Sequence, residues 1–327
     1  MQPMNFPSLL AFRFDRKGSA IAADPAAPID HSQLYWFHAR WEDASASTWL
    51  TGPAALSSEV YEALTAPETR PRCTVMRTSH GDGAVINLRG VNLQEGAEPE
   101  DMISLRVWLE DDRIISTWRR PLHAIDDLMD GMERGRGPVS PGDFVAKLAL
   151  RLADRAEPVV ATLNEAVDTM EEGVLAENTP PALRGQLADV RRTAIVLRRF
   201  MFPQRDALST LAIEDLDWLT ERDRSKLREA TDRITRLAEE LDAIRERAAV
   251  VHEQLVERRA EAMNRNMLVL AVVAAIFLPL GLLTGLLGIN VGGLPGAGTS
   301  WAFWVVCALL GMITVFNLWL YKRLKLF

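Results

Sequence analysis

The chain has 327 residues, 48% apolar and 25% charged, with a net charge of −7, values that alone describe an average soluble protein of about two domains. The distribution along the chain does not fit that average: from Asn266 to Tyr321 there is no Asp, Glu, Lys, Arg or His. The closing segment Lys322–Phe327 has three basic residues and no acidic one, which leaves residues 1–265 at −10. An acidic body excludes nucleic acid as a partner, because neutralising phosphates takes a basic surface, and it is compatible with handling cations as well as with a merely solvated surface.

Taken in order, the first elements are strands. Ala11–Phe14, Leu34–Trp41, Cys73–Thr78, Gly83–Arg89, Ile103–Leu109 and Arg113–Trp118 are short β-branched and aromatic runs, with hairpin chemistry at Ser79-His80-Gly81-Asp82-Gly83 and Glu110-Asp111-Asp112. Met1 to Leu10 has two prolines, no basic start and no long apolar core, so no secretory leader is expected. Cys73 and Cys307 are the only cysteines and have no paired spacing, so the expectation is a cytosolic α/β domain over 1–138 without a disulfide framework.

Two helices follow over 139–222, Pro141 to about Glu172 and Pro181 to about Leu211, bounded by Gly173 and by Asn178-Thr179-Pro180-Pro181. Next comes a stalk over 223–265. Leu227, Ala230, Ile234, Leu237, Leu241, Ile244, Ala248, Val251, Leu255 and Ala262 keep a heptad-like 3-4 alternation that only Arg258 interrupts. No Gly or Pro occurs from Arg222 through Leu278, so stalk and first span are predicted to be one helix of about 65 residues, on the order of 100 Å.

Met267–Leu287 and Trp301–Leu320, within segments 266–288 and 301–321, are each about 20 apolar residues, the length that crosses roughly 30 Å of hydrocarbon. The connector 289–300 is rich in Gly and Pro and has no charge. Arg258, Arg259 and Arg265 precede the first span, and Lys322, Arg323 and Lys325 follow the second, so both termini are expected on the cytoplasmic side. Two helices cannot enclose a polar path alone, so a path needs several copies. By sevens, Asn264, Ala271, Leu278 and Gly285, with Met267, Ala274, Gly281 and Gly288 and adjoining Leu270, form a mostly small or polar stripe. Such a stripe serves close helix packing or lines a pore. Pro279 removes one backbone hydrogen bond within it.

The five histidines, His31, His38, His80, His123 and His252, show no ligand spacing, so no closed protein metal site is predicted and no resident cofactor is expected. No phosphate-binding GxxxxGK[ST] loop is present to draw energy from a nucleotide, and neither GxSxG nor HExxH occurs; no enzyme is expected.

The run Thr284-Gly285-Leu286-Leu287-Gly288-Ile289-Asn290-Val291-Gly292-Gly293-Leu294-Pro295-Gly296 closes the first span. It resembles the Gly-x-Asn signature of the CorA superfamily, and Gly-Ile-Asn followed by Val-Gly-Gly resembles the zinc-transporting ZntB branch. The strand-rich start, paired helices, the segment Arg198-Arg199-Phe200-Met201-Phe202-Pro203-Gln204-Arg205, the stalk, Pro279 and the basic tail extend the likeness to the whole chain. The resemblance implies a CorA-like homopentamer whose first span lines a central pore, with Gly288, Ile289 and Asn290 at the outer mouth. A ring of Asn290 carbonyls can accept hydrogen bonds from waters of a hydrated divalent ion; as a helix C-terminal cap the same residue would only hold the turn. The implied cargo is Zn²⁺, with Ni²⁺, Cd²⁺ and Co²⁺ as further candidates, and uptake the implied direction. An Mg²⁺/Co²⁺ channel, Zn²⁺ efflux and a membrane-anchored scaffold are the alternatives. Unlike the magnesium-channel pattern, the outer loop has no acidic residue.

Transport in this branch is proposed to be proton-linked, yet the spans contain no carboxylate or histidine. Extending the stripe down the stalk by sevens reaches Glu257 from Asn264, and Glu253 and Glu246 from Met267. In a ring such carboxylates would gather cations and respond to pH; on a solvated stalk face they would do neither.

Overall fold

A computed structural model describes residues 8–67, 70–78, 81–175, 182–289 and 298–323. The chain divides into two compact units, residues 1–252 and 253–327, and each is described by itself.

The first unit is built on a seven-stranded sheet. Its strands are β1 (Leu9–Phe14), β2 (Ala20–Ala22), β3 (Leu34–Arg40), β4 (Arg72–Thr78), β5 (Gly81–Gly90), β6 (Ile103–Leu109) and β7 (Arg113–Trp118). They lie in the order β2-β1-β3-β7-β6-β5-β4, antiparallel except for the β3–β7 pair. β6 and β7 turn back through Glu110-Asp111-Asp112, with the Glu110 N–H donating to the Arg113 carbonyl at 2.8 Å. Helices cover both faces, so β7 is buried at every position and β3 at all but its last; their apolar runs lack the alternation of a half-solvated strand.

On one face, Tyr35, Phe37 and Ala39 pack with α1 (Ala44–Thr51) and α2 (Ser58–Thr65) around Trp49, Leu50, Val60 and Leu64. On the other, Trp36 meets Phe144 of α4 (Pro141–Leu175) at 5.1 Å between ring centroids, and α3 (His123–Glu133) lies against α4. The strand predictions correspond to six observed strands. The sequence reading did not identify β2, α1, α2 or α3, because elements of three to eleven residues are shorter than a reliable period. Asp43 and Ser57 nevertheless cap α1 and α2 by accepting backbone N–H groups.

α4, α5 (Leu183–Ile213) and the start of α6 (Glu221–Leu287) complete the unit. The expected stop at Gly173 does not occur: α4 continues to Leu175 because Val174, 1% exposed, is anchored in the core, and packing outweighs the roughly 1 kcal/mol that glycine costs a helix. The seam of α6 is buried from Leu227 through Leu255, as its spacing predicts; Ala262, assigned to the same seam, is exposed.

The starts of α4 and α6 are tied by two fully or almost fully buried carboxylates. Asp143 accepts from Lys226 at 2.5 Å, from Lys147 at 3.0 Å and from the Val139 N–H at 3.0 Å. Asp223 accepts from Ser140 Oγ at 2.6 Å and from Thr220 Oγ1 at 2.7 Å. Burial pushes the Asp143 carboxyl up, but the hydrogen bonds from Lys226 and Lys147 outweigh it and hold it below the ordinary carboxylate range. A depressed value stabilises the fold above the unfolded value of about 4, and that stability is lost as pH falls through the folded value. Asp143→Asn is expected to cost about 2–3 kcal/mol at neutral pH and to lose less stability than the parent on acidification below about pH 4; thermal unfolding of the purified protein against pH checks both.

Candidate functional site

The second unit holds the remainder of α6 and α7 (Ala302–Arg323). α6 is continuous from Glu221 to Leu287, through Pro279, so stalk and first apolar segment form one helix as predicted. Among the described residues neither apolar segment is covered: 6% of the window in α6 and none of that in α7 is buried. Phe277, Leu278, Trp304 and Met312 are 67–73% exposed, and each large apolar side chain left in water forfeits about 1.5–3 kcal/mol. At 1.5 Å per residue the 22 residues of α7 span about 33 Å, enough to cross a bilayer core.

Exposure along α6 is not uniform. Val272 is buried, and Ile276, Pro279, Leu280 and Leu283 are half-buried, one stripe at helical spacing. Val272 and Gly281 are two and a half turns apart, which points them about 180° from each other. Leu270, Ala271, Ala274, Leu278, Gly281 and Gly285 are all exposed, with Asn264 and Met267 before them and Gly288 and Ile289 after. A Cβ added at Gly281 or Gly285 would meet no atom within 4 Å. Among the described residues the small-residue stripe is therefore exposed, on the side away from Val272. The Gly288 N–H donates to the Thr284 carbonyl at 2.9 Å. Asn290, predicted to form the outer ring, lies outside the described residues, as do Val291 to Ala297 and Lys325.

Polar groups near the stripe are satisfied locally: Thr284 Oγ1 donates to the Leu280 carbonyl at 2.9 Å. Arg265 is the last ionisable residue of α6, and Tyr321, Lys322 and Arg323 close α7. The stalk carboxylates reached by that spacing, Glu246, Glu253 and Glu257, are all exposed, and Glu246 pairs with neighbouring Arg245 at 3.3 Å.

No group of three or more candidate metal ligands occurs among the described residues. Burial pushes His38 down to about 3, leaving it neutral against Ser116 Oγ at 2.7 Å. Burial, then the charge of Glu214, pushes the Cys73 thiol up to about 12, so it is a poor source of thiolate for a soft metal. Cys307 is exposed on α7, His31 pairs with Asp112 and His123 with Asp126, and His80 lies outside the described residues.

The family model for the CorA-like Mg²⁺ transporter protein matches residues 31–323. The chain belongs to this family; it is a membrane transport protein, not an enzyme. It is 40% identical over 312 residues to the divalent cation transporter CmaX of Pseudomonas aeruginosa, covering 94% of this chain and 92% of that protein. It is 33% identical over 318 residues to the zinc transport protein ZntB of Yersinia pseudotuberculosis, covering 97% and 95%. The solved structure of full-length CmaX superposes with a TM-score of 0.84 at 37% identity, covering 99% of this chain and all of the other.

The exposed stalk carboxylates give a direct test. In the double variant Glu253→Gln/Glu257→Gln, metal flux is expected to slow about tenfold near neutral pH, about 1.4 kcal/mol. Flux in proteoliposomes measures this, and a parental rate would assign both residues to a solvated helix face.

Proposed function

We propose that the chain is the subunit of a homopentamer that takes up Zn²⁺ across the bacterial inner membrane. The single observation that carries this reading is the small-residue stripe of α6, which is exposed among the described residues. An anchor has no need of such a stripe, whereas helices brought together around an axis need small side chains to leave a path. Five copies is the family-derived expectation.

In this reading, segment 266–288 lines the path, 289–300 forms the outer mouth and 301–321 faces lipid. Gly288 and Ile289 end the lining and Asn290 rings the mouth. With no charge in the mouth or the spans, attraction there rests on amide and backbone dipoles, which suits a divalent ion passing with water still attached. Cations are gathered at the other end by Glu246, Glu253 and Glu257, and any coupling to protons works through groups outside the spans. Both termini are cytoplasmic, from the basic residues that flank the spans on that side. Zinc is favoured over magnesium by the relatives named as zinc transport proteins, and Ni²⁺, Cd²⁺ and Co²⁺ are further candidates.

Purified protein in proteoliposomes is expected to carry Zn²⁺ faster than Mg²⁺, and Asn290→Ala to cut that flux by about tenfold or more, about 1.4 kcal/mol, with unchanged oligomer size by native mass spectrometry. A preference for Mg²⁺ would replace the zinc reading with a magnesium channel. Parental flux in a correctly assembled Asn290→Ala protein would reduce Asn290 to a helix cap.

A further inference from the structure

In the first unit, β5, the residues just past β7, α5 and the loop before β6 surround a cleft of about 480 Å³, a size in the range of small-molecule sites. Arg89 comes from β5, Arg120 from beyond β7, and Arg192 and Arg199 from α5. Two of these guanidinium groups are held on one ring: Arg89 lies 4.1 Å and Arg199 5.0 Å from the centroid of Phe200. The strand and helix are registered at this point by Gln204, 1% exposed, whose Oε1 accepts the Arg89 N–H at 2.6 Å. This is the segment Arg198–Arg205, which the transport reading leaves without a role.

Charge compensation in the cleft is uneven. Arg192 lies 3.4 Å from Glu100. Arg120 and Arg199 have no carboxylate within ion-pair distance among the described residues. Glu100, which lines the cleft beside Arg192, has a buried Oε2 without a hydrogen-bond partner. Burial, then the charges of Arg199 and Arg120, holds Arg89 below the ordinary guanidinium range. Cations that folding forces together are relieved by a bound counter-charge. Planar guanidinium forks match phosphate oxygens two at a time, and stacking on Phe200 restricts the motion of two of them.

We propose that this cleft binds a small phosphate-class polyanion through Arg89, Arg120 and Arg199. Glu98 and Asp101 also line the cleft, from the loop before β6, so the anion must be compact enough to sit against the arginines and clear of these carboxylates. The cleft belongs to the first unit and is separate from the stripe of α6.

The test is calorimetric titration of the purified full-length protein with pyrophosphate, in potassium chloride matched for ionic strength, with phosphate and sulfate as weaker probes. Saturable pyrophosphate binding is expected, tighter than phosphate or sulfate. Arg120→Ala/Arg199→Ala is expected to weaken it by about tenfold or more, whereas Arg184→Ala/Arg191→Ala, a charge-matched change elsewhere on α5, leaves it unchanged. Both variants change exposed side chains, and an unaltered unfolding transition without ligand confirms that they fold. No saturable binding at millimolar pyrophosphate, or equal weakening in both double variants, would overturn the assignment.

Discussion

Between Asn266 and Tyr321 the chain has no side chain that carries charge at neutral pH, and the rest of the transport account depends on this. An ion crossing a low-dielectric layer without charged groups needs water or polar dipoles around it throughout. Two helices cannot supply that enclosure, and among the described residues both apolar segments are almost wholly exposed. In the proposed reading, lipid accounts for the large exposed side chains of α7, among them Trp304 and Met312. It does not account for Ala274, Gly281 and Gly285, which contribute little apolar area and leave room for a path or a close neighbour. In the proposed reading, the same lack of charge leaves any coupling to protons to groups outside the spans.

A long helix that continues into a membrane needs a firm base, and two kinds of interaction compete as its cause. Ion pairs are the more visible: Arg233 with Asp154 at 2.5 Å and Arg198 with Asp242 at 3.0 Å link α6 to α4 and α5, and Arg247 bonds to Asp168 and Glu171. These groups are about a third or more exposed, where a pair contributes roughly 0–1 kcal/mol. The buried seam from Leu227 to Leu255 is quieter and larger, at about 1.5–3 kcal/mol for each full-sized aliphatic side chain. The seam holds the helix, and the ion pairs fix its register. Asp143 is the exception, because it is fully buried and joins the first turns of α4 and α6 through Lys147 and Lys226.

The parts of this fold that were legible in the sequence are those with strong periodic or compositional signals. The heptad-like seam, the charge-free spans and the β-branched strands all belong to this group. The short helices α1, α2 and α3 were not legible, since eight to eleven residues give too few turns to separate a stripe from chance. Gly173 misled because its own propensity is overruled by the buried neighbour Val174. Ala262 fits the spacing of the seam, yet it is exposed, since spacing places a residue on a face but does not say where the covering partner stops. The stripe of α6 was legible as a pattern, and the structure adds that it is uncovered and turned away from Val272. The arginine cleft was not legible at all: Arg89, Arg120 and Arg199 are far apart in sequence, and only the packing of α5 on the sheet brings them together.

The central claim is that the uncovered stripe of α6 faces an aqueous path shared by several copies. Substituted-cysteine accessibility tests it most directly. In a Cys73→Ala/Cys307→Ala background, single cysteines at Ala274, Leu278 and Gly281 are compared with cysteines at Val272 and Ile276, with zinc flux measured before and after a membrane-impermeant thiol reagent. The account predicts that the reagent blocks flux at the first three positions and leaves the other two unaffected. Block at Val272 and Ile276 with none at Ala274, Leu278 and Gly281 would contradict it, because the ion path would then run along the opposite face of the helix.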